Sequence, residues 1–192
     1  MAVAITNRLG SSHITPEQDS MWHRGFSGLP TCVIPDAETD NFKSTIHTNN
    51  EVRIGSGIAM LQGRLWCVPI GTYDPLTIQN GNQGENRIDL AVLRWTINSE
   101  TNTENCAWVV IQGTPTTGDP TAPGYTEGDL DAGDLIVDMP MYQITLNGLN
   151  IVSVTALFDT ALTLEAARIS DATVEKYIPL GFNPAEYSGG GQ

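Results

Sequence analysis

The sequence predicts a mostly β protein: an antiparallel β-sandwich-like module with an irregular N-terminal arm and a short helical C-terminal tail. Three observations point there. Gly (19) and Pro (11) are plentiful while Lys and Arg together number only nine, a balance suited to frequent turns, because Gly supplies positive φ and Pro pre-sets turn geometry. Between residues 44 and 158 short apolar runs alternate with turn-forming polar segments, as in strand-rich chains. Capped helical patterns are confined to the two ends. At 192 residues the chain suits a single domain, which commonly spans ~100–200 residues.

Residues 1–43 form the arm, with small polar residues and isolated aromatics. Within it, Pro16 after Thr15 opens a short helix through Glu17 to Trp22, since Pro is tolerated at the first helical position. Gly28 to Pro35 reads as a short extended piece bounded by prolines. The module, residues 44–158, starts with β-like Ser44–His47 and Glu51–Ile54, split by the turn pair Asn49 and Asn50. Ile58–Gln62, Leu65–Ile70 and Tyr73–Ile78 follow as separate strands between Gly-containing breaks. Each has near-average strand length.

Two long β runs give the strongest local signal. Ile88–Ile97 and Cys106–Gln112 flank the polar stretch 98–105, which predicts a hairpin with a long connection. The second run is apolar on both faces, with Cys106, Trp108 and Val110 on one and Ala107, Val109 and Ile111 on the other. That pattern predicts cover on both sides, by a sheet and by a second layer or a neighbouring subunit. An acidic, turn-rich segment leads from Thr114 to Gly133. Met141–Leu146 and Ile151–Thr155 then form a tight hairpin around Asn147 and Gly148, where both central residues are expected to tolerate φ > 0. In the tail, residues 159–192, Thr163 and Asp171 cap short helices over 164–169 and 172–176, and Ser188–Gln192 reads as flexible.

The formal charge is −13. Such a surface repels phosphate backbones and anionic lipid surfaces, so no nucleic-acid partner is expected. No run approaches the ~20 apolar residues of a membrane helix, and the N-terminus is too poor in apolar residues for a signal peptide; membrane insertion is not expected. Cys32, Cys67 and Cys106 are widely spaced, without a zinc pattern. Since Cys67 and Cys106 sit in apolar runs, the reading is of reduced, buried thiols in a protein assembled in a reducing cytoplasm.

Catalytic signals are sparse. His13, His23 and His47 all fall in the N-terminal quarter, and no nucleophile elbow accompanies them. Glu127, Asp129, Asp131, Asp134 and Asp138 cluster in the acidic segment. They lack the calcium-loop spacing and read as solvated turn carboxylates, although a calcium site or a glycosidase pair could use such groups. The stretch from Asn80 to Arg87 has glycines but no Gly-Lys-Ser/Thr and leads into a strand, so it is a turn and not a phosphate loop. Arg87 and Asp89, two apart, share a strand face and can pair. Trp66, Trp95 and Trp108 sit among aliphatics and read as core. Trp22, with His23 and Phe26, reads instead as an exposed anchor onto a partner. No catalytic, cofactor or metal-binding residue is assigned.

A succession of short motifs carries a family resemblance: Arg53-Ile-Gly-Ser-Gly57, Met60 to Arg64, Gly71-Thr-Tyr73, Thr77 to Gly84, Asn86 to Leu90, Gly113-Thr-Pro115, Tyr125-Thr126, Gly133-Asp134, Met139 to Tyr142 and Leu146 to Leu149. In this order, with His13-Ile14-Thr15 ahead of them, the chain resembles the N-terminal module of tail and baseplate appendage proteins in phages and prophages of Gram-positive bacteria. The resemblance covers roughly residues 10–160. It implies a structural role in the virion tail or baseplate after assembly in the host cytoplasm, with copies of itself and other tail proteins as partners. Members often carry a longer C-terminal region than the thirty or so residues here, which weakens the case for direct receptor contact. Two other readings compete: a module binding host cell-wall saccharide, which needs exposed tryptophans, and a glycosidase or peptidase using the carboxylate cluster.

Overall fold

The computed structural model describes residues 14–101 and 103–161. The helices expected over 164–176, the Gly-rich C-terminus and His13 lie outside them. One helix, α1 (Pro16–Ser27), precedes eight strands: β1 (Cys32–Ile34), β2 (Ser44–Thr48), β3 (Glu51–Leu61), β4 (Arg64–Thr77), β5 (Asn86–Asn98), β6 (Thr103–Ile111), β7 (Ile136–Asn147) and β8 (Asn150–Ala156). The protein is mostly β, and its strand pairings are antiparallel. In the first sheet β3 pairs with β1, β2 and β4; the second runs β6-β5-β7-β8.

The sheets share one apolar cluster. Val52, Ile54 and Val68 come from the first; Ala91, Leu93, Met139, Tyr142 and Ile144 from the second. Alternation drives this burial, since residues two apart on a strand share a face. Aromatic rings join the layers. Trp66 and Trp108 meet edge to face at 5.5 Å, and the Trp108 Nε1–H donates to Asp74 Oδ2 of the other sheet at 2.9 Å. The Tyr142 hydroxyl donates to the Phe42 carbonyl, and burial raises its pKa.

Over its described part, the expected irregular arm contains α1 and β1 and contributes to the core. The described residues up to Ala161 belong to one compact unit. Phe42, read as an isolated aromatic, is 1% exposed. It takes φ 57°, and its N–H bonds the Ser56 carbonyl at 3.0 Å. This placement explains why β3 runs through the Gly55-Ser-Gly57 break expected from sequence. A Cβ at 57 would lie 2.7 Å from the Phe42 ring, and one at 55 would strike Asp40. The glycines therefore admit their neighbours without ending the strand, at the cost of a register shift. Likewise β4 joins the two strands expected over 65–70 and 73–78.

Other expectations held with changes of detail. The turn at Asn49 and Asn50 links β2 to β3, and a hairpin joins β5 to β6. In the β7–β8 hairpin the two-residue loop is Gly148–Leu149. Only Gly148 has positive φ, at 57°, so one residue and not two needs that freedom.

Strand β6 is an edge, and within the single chain its residues 106–111 are half-buried or exposed, so no second layer among the described residues covers their outer face. On β5, by contrast, Leu90 and Val92 are 4% and 0% exposed. The segment after β6 is tied to the sheet at Asn86–Thr116 and again where Asp138 N–H bonds the Thr126 carbonyl. Asn86 and Arg94, the partner of Asp138, bracket Leu90 and Val92 on β5. The residues of β6, at the sheet edge, have less cover. Trp108 is accordingly half-buried. Cys67, expected inside, is exposed, because it lies beside Ile58 on the outer row of an edge strand.

Candidate functional site

Helix α1 starts with a capping box. Thr15 Oγ1 accepts from Gln18 N–H at 3.3 Å, and Gln18 Oε1 accepts from Thr15 N–H at 3.1 Å. Pro16 stands at the first helical position, where its missing N–H costs nothing. The helix runs past Trp22 to Ser27 and stops at Gly28, φ 70°, whose N–H bonds the Arg24 carbonyl at 3.0 Å.

Its two faces are inverted. Ser20, His23, Arg24 and Ser27, spaced i, i+3, i+4, i+7, turn toward the body, while Met21, Trp22, Gly25 and Phe26 are exposed. Surface helices ordinarily bury the apolar stripe. Here Trp22 and Phe26 are 55% and 72% exposed, and their rings touch each other at 5.1 Å between centroids. Of the three anchor candidates, Trp22 and Phe26 thus face solvent, and His23 does not. Its Nδ1 is 2.8 Å from the Gly63 carbonyl, so the proton sits on Nδ1 and is donated. Met21, 51% exposed, completes the patch and escaped the sequence reading. The polar i, i+3, i+4, i+7 stripe was the signal that could have found the inversion.

The β3–β4 turn holds the inward face. Gln62 and Gly63 have φ 50° and 87°, the two positive values of a tight hairpin. A Cβ at 63 would sit 2.2 Å from the Ser20 carbonyl oxygen, so only Gly permits this approach. Arg24 Nη1 donates to the Gln62 carbonyl at 2.9 Å and to Asp131 Oδ2 at 2.8 Å.

The carboxylate cluster is dispersed among structural tasks. Asp131 also takes Arg64 Nη1 at 3.1 Å. Arg64 Nε, 3.4 Å from Glu104 Oε2, feels that charge without hydrogen-bond geometry. Asp129 Oδ1 accepts the N–H groups of Asp131 and Ala132, and Asp134 Oδ2 accepts that of Asp129. Asp138, expected in solvent, is buried, with Arg94 on both oxygens at 2.7 and 2.8 Å and Thr126 N–H at 2.9 Å. Burial works to raise its pKa, but the Arg94 and Thr126 bonds and the Arg94 charge outweigh it and hold the carboxyl below its usual range. Among the described residues no three His, Cys, Asp or Glu side chains form a metal-holding group.

Arg87 and Asp89 do pair, in the interior. Their bonds measure 2.8 and 2.9 Å; Arg87 also donates to the Gln79 and Asn80 carbonyls, and Asp89 Oδ1 accepts Gly113 N–H at 2.9 Å. The pair pins the 79–80 loop and the end of β6 to β5. Trp95 Nε1 donates to Glu104. Burial pushes the Cys106 thiol up to about 12, which keeps it protonated and unreactive. An open groove of about 680 Å³ on the first sheet is lined mainly by Ile58, Leu65, Trp66, Val68, Pro69 and Ile70.

No family model matches the chain, and no curated protein matches it.

Proposed function

We propose that the protein is a non-enzymatic structural component of a bacteriophage tail or baseplate: a β-sandwich-like module that docks through the outward face of α1 and assembles in the host-adhesion apparatus. One observation carries the docking role, the inversion of α1. A rigid, capped helix that bonds its polar stripe to main-chain oxygens and presents Met21, Trp22 and Phe26 to water leaves apolar area for a partner to cover. Large aromatics presented in this way are the usual energetic centre of an interface. Glu17 and Asp19 flank the patch, so the fitting partner offers an apolar groove with basic groups on its rim. The ordered motifs from Arg53 to Leu149 support the choice of assembly.

Trp22 also favours a second reading, a saccharide-binding module, because sugar rings stack on exposed indoles. The other three tryptophans give it less support: Trp95 is buried, and Trp66 and Trp108 pack on each other in the core.

A pull-down of the full chain against the tail protein encoded by the adjacent gene tests the proposal. Trp22→Ala with Phe26→Ala should weaken capture by roughly thirtyfold or more, as for loss of a ~2 kcal/mol hot spot. Undiminished capture by the double variant overturns α1 as the docking face. Retention on purified cell-wall saccharide that Trp22→Ala abolishes would favour the second reading.

A further inference from the structure

Proteins guard the open edges of their sheets with prolines, bulges, short strands or covering charge, because an open edge invites another strand. Here β4 contains Pro69 and Pro75 and pairs with a register shift. β1 and β2 have three and five residues, and β2 also shifts register. β8 has seven residues and a shift beside Leu146. β6 differs from all of these. It has nine residues, no proline, no Lys or Arg, and nine consecutive pairs with β5 without a shift. Its other side pairs with no strand among the described residues.

Charge narrows the occupant. Two copies of a chain carrying −13 repel, which favours a close contact where both surfaces are uncharged. From Asn105 to Gly118 no Asp, Glu, Lys or Arg occurs. Glu104, at the start of the strand, faces Arg64 and the Trp95 N–H within its own molecule. An antiparallel pairing of residues 105–111 of β6 with themselves, centred on Trp108, opposes only Ala, Cys, Trp, Val, Ile and Asn. Residues facing each other across a two-fold axis share a sheet face, so Trp108 and Val110 would meet their own kind of neighbour on the core side.

We propose that the free edge of β6 pairs with β6 of a second copy about a two-fold axis, joining the two β6-β5-β7-β8 sheets into one continuous eight-stranded sheet. This rests on the assembly reading for its partner and names the surface, which is separate from α1. The contact is isologous, so it closes at two subunits and leaves both α1 patches open for a different protein.

Sedimentation velocity of the full chain at 1–100 μM should show a mass near twice 20.7 kDa. Ala107→Glu is the informative variant. Residue 107 is exposed and sits opposite Arg94 on β5, where a Glu is tolerated in the monomer yet brings a carboxylate from each copy into the otherwise uncharged contact. It should raise the dimer dissociation constant roughly a hundredfold, with the melting temperature unchanged at dilutions where both forms are monomeric. Trp22→Ala with Phe26→Ala should leave the dimer intact. A wild-type monomer throughout that range, or a dimer indifferent to Ala107→Glu, overturns the β6 pairing. If Ala107→Glu fails to fold, hydrogen exchange of the wild type decides: β6 amides should gain protection with rising concentration, and constant exchange refutes the pairing. Loss of partner capture in the α1 variant with the dimer unchanged bears on docking alone, so the two proposals fail separately.

Discussion

Replacing Trp108 with Ala tests whether the inter-sheet aromatic contacts hold the layers together. A fully buried Trp→Ala change costs about 3–5 kcal/mol through lost transfer energy and the cavity left behind. Trp108 is only half-buried, which lowers that share. Three ring contacts are also lost, with Trp66 at 5.5 Å and with Phe42 and Tyr142 at 6.3 Å each, worth roughly 0.5–1.5 kcal/mol per pair beyond area. The indole bond to Asp74 disappears as well, but Asp74 is partly exposed and water replaces the donor. The expected net cost is about 3 kcal/mol, a large part of the ~5–15 kcal/mol of a typical domain. It corresponds to a fall in melting temperature of roughly 6–12 °C for a chain this long. Trp108→Phe, which keeps a ring but not the donor, should cost about 1–2 kcal/mol. Urea denaturation followed by far-UV circular dichroism gives both values, with m unchanged between variants. Trp22→Ala provides the contrast and should stay within about 0.5 kcal/mol of wild type. A Trp108→Ala cost below about 1 kcal/mol refutes the inter-sheet role. A Trp22→Ala cost equal to that of Trp108→Ala makes α1 part of the core and removes the docking argument.

Asp138 predicts an acid dependence. Its folded pKa lies below the ordinary value, so its stabilisation is fully present above ~3.9 and is lost as pH falls through the lower folded value. Asp138→Asn should be less stable at pH 7 with a shallower acid limb in denaturation midpoints; an unchanged limb contradicts this. Added Ca²⁺ should leave the melting temperature unchanged, because Asp129, Asp131 and Asp134 are engaged with backbone and arginine. A bound ion at a hundredfold its dissociation constant would add about 2.7 kcal/mol, and such a rise, lost in Asp129→Asn with Asp131→Asn, would overturn that assignment. Arg87→Met should destabilise by about 3–5 kcal/mol by leaving Asp89 buried and unpaired; adding Asp89→Leu should recover part of it in the same denaturation assay, and no recovery refutes the pairing argument.

Local chemistry was legible wherever its consequences stay local. The Thr15-Pro16 start of α1, the β5–β6 hairpin, the shared face of Arg87 and Asp89 and the exposure of Trp22 and Phe26 all follow from neighbours in sequence. Features that depend on distant contacts were not. Gly55 and Gly57 look like a strand break until Asp40 and Phe42 arrive to occupy the space. His23 looks like part of the anchor until the Gly63 carbonyl, forty residues away, draws it inward. Cys67 sits in an apolar run, and only its place on an edge strand leaves it in water. Asp138 sits in an acidic run that reads as loop, and Arg94, forty-four residues away, holds it buried.

The attachment of α1 has an evolutionary consequence. His23 and Arg24 grip the main-chain oxygens of Gly63 and Gln62, which are present whatever side chains the hairpin carries. Gly63 is the one position there where a larger residue would force the helix away. The outward positions 21, 22, 25 and 26 take no part in holding the helix. Mutation can therefore rewrite the address that a partner reads while the scaffold beneath stays the same, and a lineage changing its partner would need to alter about one turn of one helix.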